Sequence, residues 1–209
     1  IEEREDPAVI KQRQEEIKKQ QEAAEAEKKK KEQQIAIGLW KQMKHMRNTD
    51  AVTSPYFRKK RIPGSFFTFV SDDDSNLVTW IPLYDINKQL TTVQTISPEG
   101  EKRFVKGGKK SGSFHIVLGK IEPKDSTIII CEGYATAASI QYCLSAYNDV
   151  KVVAAIDAGN LIPVAVKLKE RFPNMRYLIA GDNDHLSEIN VGVQEATRAA
   201  EAIGAMVVI

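Results

Sequence analysis

Two apolar runs that each end in carboxylate constrain this chain more than any other feature. The first is Thr127-Ile128-Ile129-Ile130-Cys131, followed by Glu132-Gly133. The second is Tyr177-Leu178-Ile179-Ala180, followed by Gly181-Asp182-Asn183-Asp184. Both have strand length and lack a helical period. Around them the pattern alternates. A helix is expected over 135–146, a strand over 151–156, and a helix over 161–171 stopped by Phe172-Pro173. A strand over 176–180, a helix over 192–203 with Gly204 at its end, and a strand over 205–209 complete the series. The rhythm β-α-β-α-β-α-β implies a mainly parallel sheet with helices on both faces. Strand C-termini in such a sheet share one edge, where open α/β folds place their chemistry. Glu132, Asp157, Asp182 and Asp184 are therefore expected on one rim.

Unpaired carboxylates on one rim repel one another, and a divalent cation relieves the repulsion. An oxygen-only donor set favours Mg²⁺ or Mn²⁺ over zinc. In an extended segment Asp182 and Asp184 point the same way, and Gly133 and Gly181 leave room for substrate or a tight turn. Asp157 precedes Ala158-Gly159-Asn160, which is ordinary turn chemistry. Gly133, Asp157, Asn160, Asn183 and His185 are candidate substrate-side residues, with Asn160 equally placed to cap the next helix.

The chain before the acidic unit reads differently. Residues 65–118 carry short apolar runs separated by turns such as Asp85-Ile86-Asn87-Lys88 and Ser97-Pro98-Glu99-Gly100, with no helical stretch between them. This predicts an antiparallel subdomain, with Phe114–Leu118 as its last strand. The second run, Leu77–Leu83, is expected to be interrupted by Pro82. Charge follows the same division. Residues 41–120 hold 14 basic and 7 acidic side chains, whereas residues 121–209 hold 7 basic and 11 acidic. A basic middle of net +7 joined to an acidic end of net −4 suits a polyanion held by one part and a cation by the other. Lys102, Arg103, Lys106, Lys109 and Lys110, interleaved with Phe104 and glycines, are candidate phosphate contacts. Arg58, Lys59, Lys60 and Arg61 form a second cluster, with Tyr56 and Phe57 as candidate base-stacking rings.

Residues 1–34 are almost all Glu, Lys, Gln, Arg and Ala, which predicts an exposed helix. Ile35, Leu39, Trp40, Met43 and Met46 then recur at helical spacing and should dock that helix on the body. The expected division is a charged helix or linker over 1–48, a basic β-rich subdomain over 49–120 and an α/β domain over 121–209. Two cysteines, Cys131 and Cys143, argue against a disulfide framework or a cysteine-rich zinc site, so a cytoplasmic setting is expected. No apolar run approaches membrane-helix length. The first residue is Ile1, and Met206–Ile209 reads as a buried strand, so a piece of a longer protein is expected.

The ordered motifs narrow this reading. Glu132-Gly133-Tyr134 after one strand and Asp182-x-Asp184 after another resemble the Toprim domain of bacterial-type primases, topoisomerases and certain nucleases. Asp157-Ala158-Gly159-Asn160-Leu161 and Asn190-x-Gly192 make the set similar to the Toprim of plasmid conjugative-transfer (TraC-type) and phage primases. Pro55-Tyr56-Phe57, Pro82-Leu83-Tyr84-Asp85, Gly100-Glu101-Lys102-Arg103-Phe104 and Gly112-x-Phe114 resemble the region that precedes it. The resemblance spans roughly residues 50–209.

It implies a Toprim-like α/β domain behind a small basic β-rich subdomain, and the long N-terminal helix expected from composition precedes both. It implies RNA primer synthesis on a single-stranded DNA template from ribonucleoside triphosphates, with a helicase or other replication domain as partner and no membrane. Glu132 would be an acid/base or metal-site residue, and Asp182 and Asp184 ligands of Mg²⁺ or Mn²⁺. A metal-dependent nuclease and a non-catalytic single-strand-binding module are the alternatives. No cysteine or histidine spacing here builds the zinc module that replicative primases of this broad type carry.

Overall fold

The computed structural model describes residues 7–49, 54–63, 65–73, 76–183, 188 and 190–209. It opens on helix α1 (Pro7–Met43), about 55 Å long at 1.5 Å per residue. Residues 8–31 of α1 are exposed, and ion pairs such as Glu25–Lys29 (3.0 Å) and Glu27–Lys31 (2.6 Å) run along it. Only its last two turns dock. Leu39 and Met43 are buried with Val93, and Ile35, Met46, Phe69 and Trp80 pack around them. Trp40, expected in this contact, is 56% exposed. It neighbours Leu39 in sequence, and one residue along a helix turns a side chain about 100° away from the docked face.

An antiparallel sheet follows, in the order β1 (Arg47–Thr49), β2 (Ser65–Asp73), β3 (Asn76–Tyr84), β4 (Leu90–Ile96), β5 (Lys102–Phe104). The short helix α2 (Pro55–Lys60) is inserted before β2. Ser54 caps α2 through its side chain, which accepts from the Phe57 N–H at 3.1 Å. β3 passes through Pro82 without interruption, in register with Val93 of β4.

The stretch expected as the last strand of this sheet instead joins the two sheets. Phe114 exchanges backbone hydrogen bonds with Tyr84 at the end of β3. The next two residues, β6 (His115–Ile116), pair antiparallel with a strand of the second sheet. The sheets therefore do not divide at residue 120.

The second sheet contains β7 (Thr127–Cys131), β8 (Val150–Ala154), β9 (Arg176–Ala180) and β10 (Met206–Val208), in spatial order β10-β9-β7-β8-β6. β7 to β10 are mutually parallel, as expected. Their connections are α3 (Tyr134–Cys143), α4 (Leu161–Arg171) and α5 (Val191–Ile203). α4 and α5 cover one face through Leu161, Val164, Leu168, Ala196 and Ala199. The other face meets α3, α2 and the antiparallel sheet through Phe57, Ile81, Ile96, Tyr134 and Ala137.

The chain end differs from its expectation. Met206 to Ile209 are apolar yet exposed, with Met206 at 64%. β10 is an edge strand hydrogen-bonded to β9, and among the described residues nothing covers its outer side. Cys131 and Cys143 are free thiols.

Candidate active site

Register brings the acidic residues to one rim. Cys131 at the end of β7 pairs with Ala154 of β8 on one side and Ala180 of β9 on the other. Adjacent strands lie about 4.8 Å apart. Glu132, one residue past β7, therefore stands between the segments that lead to Asp157 and Asp182. Since β8 and β9 flank β7, successive connections leave in opposite directions at this point. That is the switch point at which open α/β sheets bind their ligands.

Asp182 is half-buried and braced from two elements. Its Oδ1 accepts a hydrogen bond from Thr136 Oγ1 at 3.1 Å, in the first turn of α3. Helix N-termini favour negative charge, which adds to this bond. Its other oxygen, Oδ2, lies 4.0 Å from where a Cβ on Gly133 would stand. On the α5 side, a Cβ on Gly192 would clash with the Asp182 carbonyl group, so only glycine permits this approach. Glu132 is half-buried, with Oε2 sealed from solvent. The charge of Asp182 reaches into the core beneath. Burial, and then Asp182, push the Cys131 thiol up to about 12. Burial, then Tyr134 and Asp182, push the Tyr56 hydroxyl up to about 12.

Tyr56 and Phe57 are thus not base-stacking rings. Both are buried, and Phe57 stacks on Tyr134 with centroids 5.5 Å apart. The four basic residues that adjoin them made them candidates. α2 resolves this by burying its aromatic side while Arg58, Lys59 and Lys60 face solvent.

Asp157 follows Ile156, whose φ of 82° is strained for a β-branched residue. Its carboxylate meets Lys110 Nζ at 2.5 Å. That ion pair joins the basic loop after β5 to the acidic rim. Asn160 secures the same junction. Its Oδ1 accepts from the Gly112 N–H (2.7 Å), and its Nδ2 donates to the carbonyls of Ser113 (2.8 Å) and Ala155 (2.7 Å). The side chain makes no cap on α4. Three internal bonds on a residue 2% exposed make Asn160 a structural joint. Asn183 Oδ1 likewise accepts from Asn190 Nδ2 at 2.8 Å, and Asn190 caps α5.

The basic candidates separate into two groups. Lys109 and Lys110 lie by the rim, joined by Lys167 of α4, which the sequence reading missed. Lys167 Nζ approaches the Ser111 carbonyl at 3.4 Å, and burial, then Lys109, lower its pKa. Lys110 also lies 5.3 Å over the Phe104 ring. Lys106 is exposed in the same loop. Lys102 and Arg103 stand on β5, the outer edge of the first sheet, where Arg103 is held by Glu101 at 2.9 Å. Lys59 Nζ approaches the Glu99 carbonyl at 3.4 Å, bringing the basic end of α2, with Arg58 and Lys60, beside that edge. Lys167 carried no signal of its own, because it matters through partners distant in sequence, and Gly192 entered only as part of the Asn190-x-Gly192 motif. Asp184 and His185 lie outside the described residues.

Comparison with known proteins agrees with this fold. Residues 127–208 match the family described as the Toprim domain. Two Escherichia coli proteins, each called DNA primase TraC, are 38% identical over 156 residues, or 72% of this chain. The chain spans only 14% and 10% of their lengths. The primase fragment of the bacteriophage T7 primase-helicase protein is similar in fold, with TM-score 0.52 and 11% identity over 68% of this chain and 57% of that one. A second T7 match has TM-score 0.53 and 11% identity, over 77% of this chain and 78% of that one. It comes from a complex of the lagging-strand DNA polymerase with primase domains of two gp4 subunits bound to an RNA/DNA hybrid and dTTP. With its carboxylates at the parallel-sheet rim and residues 127–208 matched, the chain carries a Toprim domain, and it is similar over 72% of its length to part of the DNA primases called TraC.

Proposed function

We propose that the chain is the catalytic core of a primase, making short RNA primers on single-stranded DNA from ribonucleoside triphosphates. The observation that carries this reading is Asp182 braced beside Glu132 at the switch point, with the Lys109–Lys110 loop tied to the same rim. Glu132 and Asp182 offer only oxygen, one oxygen of Asp182 is not engaged by Thr136, and Gly133 leaves space beside it. Such donors fit Mg²⁺ or Mn²⁺, and Asp184 is the proposed third ligand. When bound, the ion would lower the pKa of the attacking 3′-hydroxyl and offset charge on the phosphates.

The protein's own residues supply the rest. The 3′-oxygen bonds to the α-phosphorus as the bond to pyrophosphate breaks, and the hydroxyl proton passes to the Glu132 carboxylate. Glu132 serves at that hydroxyl. Thr136 holds the Asp182 carboxylate in place. Lys106, Lys109 and Lys110 neutralise the triphosphate or template backbone. Gly133, Asp157 and Asn183 border the substrate, and Lys102, Arg103, Arg58 and Lys60 extend the basic surface toward the template. A helicase or other replication domain is the proposed partner, in a cytoplasmic setting.

Primer synthesis on an oligonucleotide template tests the reading. Wild type should yield short ribo-oligonucleotides with Mg²⁺, while Asp182→Asn and Glu132→Gln should lose product at unchanged thermal stability. Degradation of labelled template without nucleotides would indicate a nuclease instead, and equal product from all three chains would remove the site assignment.

A further inference from the structure

Helix α1 and strand β4 form a groove of about 520 Å³, whose lining includes Lys29, Glu32, Ile37, Trp40, Lys41, Asp85 and Lys109. Glu132, Asp157 and Asp182 do not line it, and Lys109 connects it to the basic group beside the carboxylate rim. Trp40 and Ile37 are both 56% exposed. A tryptophan left open on a groove wall is uncommon on a surface with no partner. Gln33, Ile37 and Trp40 follow one another at helical spacing, so they form one stripe along α1.

We infer that this groove is a stacking track for single-stranded DNA, in which Trp40 receives a base and Lys29, Lys41 and Lys109 hold the flanking phosphates. The inference rests on the primase reading and extends it by giving the template a path. Three features select nucleic acid over a protein segment. The groove has three lysines against two carboxylates; Lys29 is shared with Glu25 at 3.0 Å, and Asp85 Oδ1 is engaged by the N–H groups of Asn87 and Gln89 at 2.9 Å. It is continuous with the proposed phosphate surface, because Lys109 belongs to both. From Lys109 the charge continues to Lys167 and to Lys110, which touches Asp157 on the catalytic rim. A strand stacked at Trp40 would therefore leave along a lysine path toward Glu132 and Asp182. Aromatic platforms flanked by cations bind single strands with little sequence preference.

Anisotropy with a fluorescein-labelled oligothymidylate tests this, using wild type, Trp40→Ala, Trp40→Phe and Asp182→Asn. Trp40→Ala should weaken binding roughly tenfold, as loss of one base stack does, and Trp40→Phe should recover most of it. Ultraviolet cross-linking of an iodouracil-substituted strand should label the peptide that contains Trp40. Asp182→Asn should bind as wild type does while losing primer synthesis, which separates the groove from the catalytic reading. Equal affinity of wild type and Trp40→Ala, or a cross-link elsewhere only, overturns the track and leaves the primase reading standing. No binding by wild type overturns both. If Trp40→Ala leaves DNA affinity unchanged and converts a dimer to monomer on sedimentation, the groove joins two copies of the chain instead.

Discussion

His115 shows how one residue ties the two sheets together at a cost that depends on pH. Its Nδ1 donates to the Pro82 carbonyl of β3 at 2.9 Å, while its backbone pairs with β8. The ring meets Tyr134 edge-on at 5.3 Å. Burial pushes its pKa down to about 4, against the opposing effect of the Pro82 bond. The ordinary value is 6.5, so between these limits the unfolded chain binds a proton that the folded chain refuses. Stability from this residue is complete above 6.5 and drains as pH falls toward 4. The loss over the window is about 3 kcal/mol. Denaturant midpoints measured from pH 7 to pH 4.5 should fall more steeply for wild type than for His115→Phe. Carboxylates titrate in both chains alike, so the difference isolates His115, and parallel curves would contradict the account. Nothing in the local sequence shows what His115 joins, because Pro82 lies 33 residues away.

Among the elements, the strand-helix alternation was the most legible part of the chain. Apolar runs of five residues and the helical spacing of α4 and α5 report burial directly, and β7 to β10 formed where they were expected. Elements whose partners are remote were not legible in the same way. β6 is two residues long and takes its identity from β8, so its local pattern could not assign it to a sheet. α2 looked like a basic surface because four charges follow its two rings, and only the stacking of Phe57 on Tyr134 shows which side is buried. The loop after β5 is the clearest case. Its glycines and lysines give no local sign of a fixed conformation, yet Asn160 pins it with bonds to Gly112 and Ser113. Asn160→Ala would leave the Gly112 N–H and two carbonyls without that partner. Each buried group so stranded costs about 1–3 kcal/mol. The expected result is a melting temperature lowered by several degrees and a loop that exchanges amide hydrogens faster at Gly112. Asn160→Asp should only partly recover, since a carboxylate keeps the acceptor and loses both donors. Unchanged exchange at Gly112 in Asn160→Ala would show that other contacts hold the loop.

At the scale of the whole molecule, opposite charges are kept apart and then joined at one seam. The sequence located the basic middle and the acidic end, but not the seam, which is the Lys110–Asp157 ion pair. Two lysines adjacent in sequence are therefore in different electrostatic states. Lys109 is exposed and lies near the like charge of Lys167. Lys110 already has a carboxylate partner, and engaging a phosphate means giving up Asp157. Binding of single-stranded DNA releases condensed counterions, and the logarithm of affinity falls with the logarithm of salt by about 0.7 per phosphate neutralised. Removing a lysine that contacts phosphate should reduce that slope by the same increment. Lys109→Ala is thus expected to flatten the salt dependence by about 0.7. Lys110→Ala should flatten it less, because the charge it removes was partly compensated within the protein. Asp157→Asn should do the opposite, releasing Lys110 to the strand and steepening the dependence. Titrations from 50 to 300 mM salt with the three variants distinguish these outcomes. Equal slopes for Lys109→Ala and Lys110→Ala would mean that the ion pair does not persist when DNA arrives. The seam would then open on binding and hand Lys110 to the strand beside the carboxylate rim.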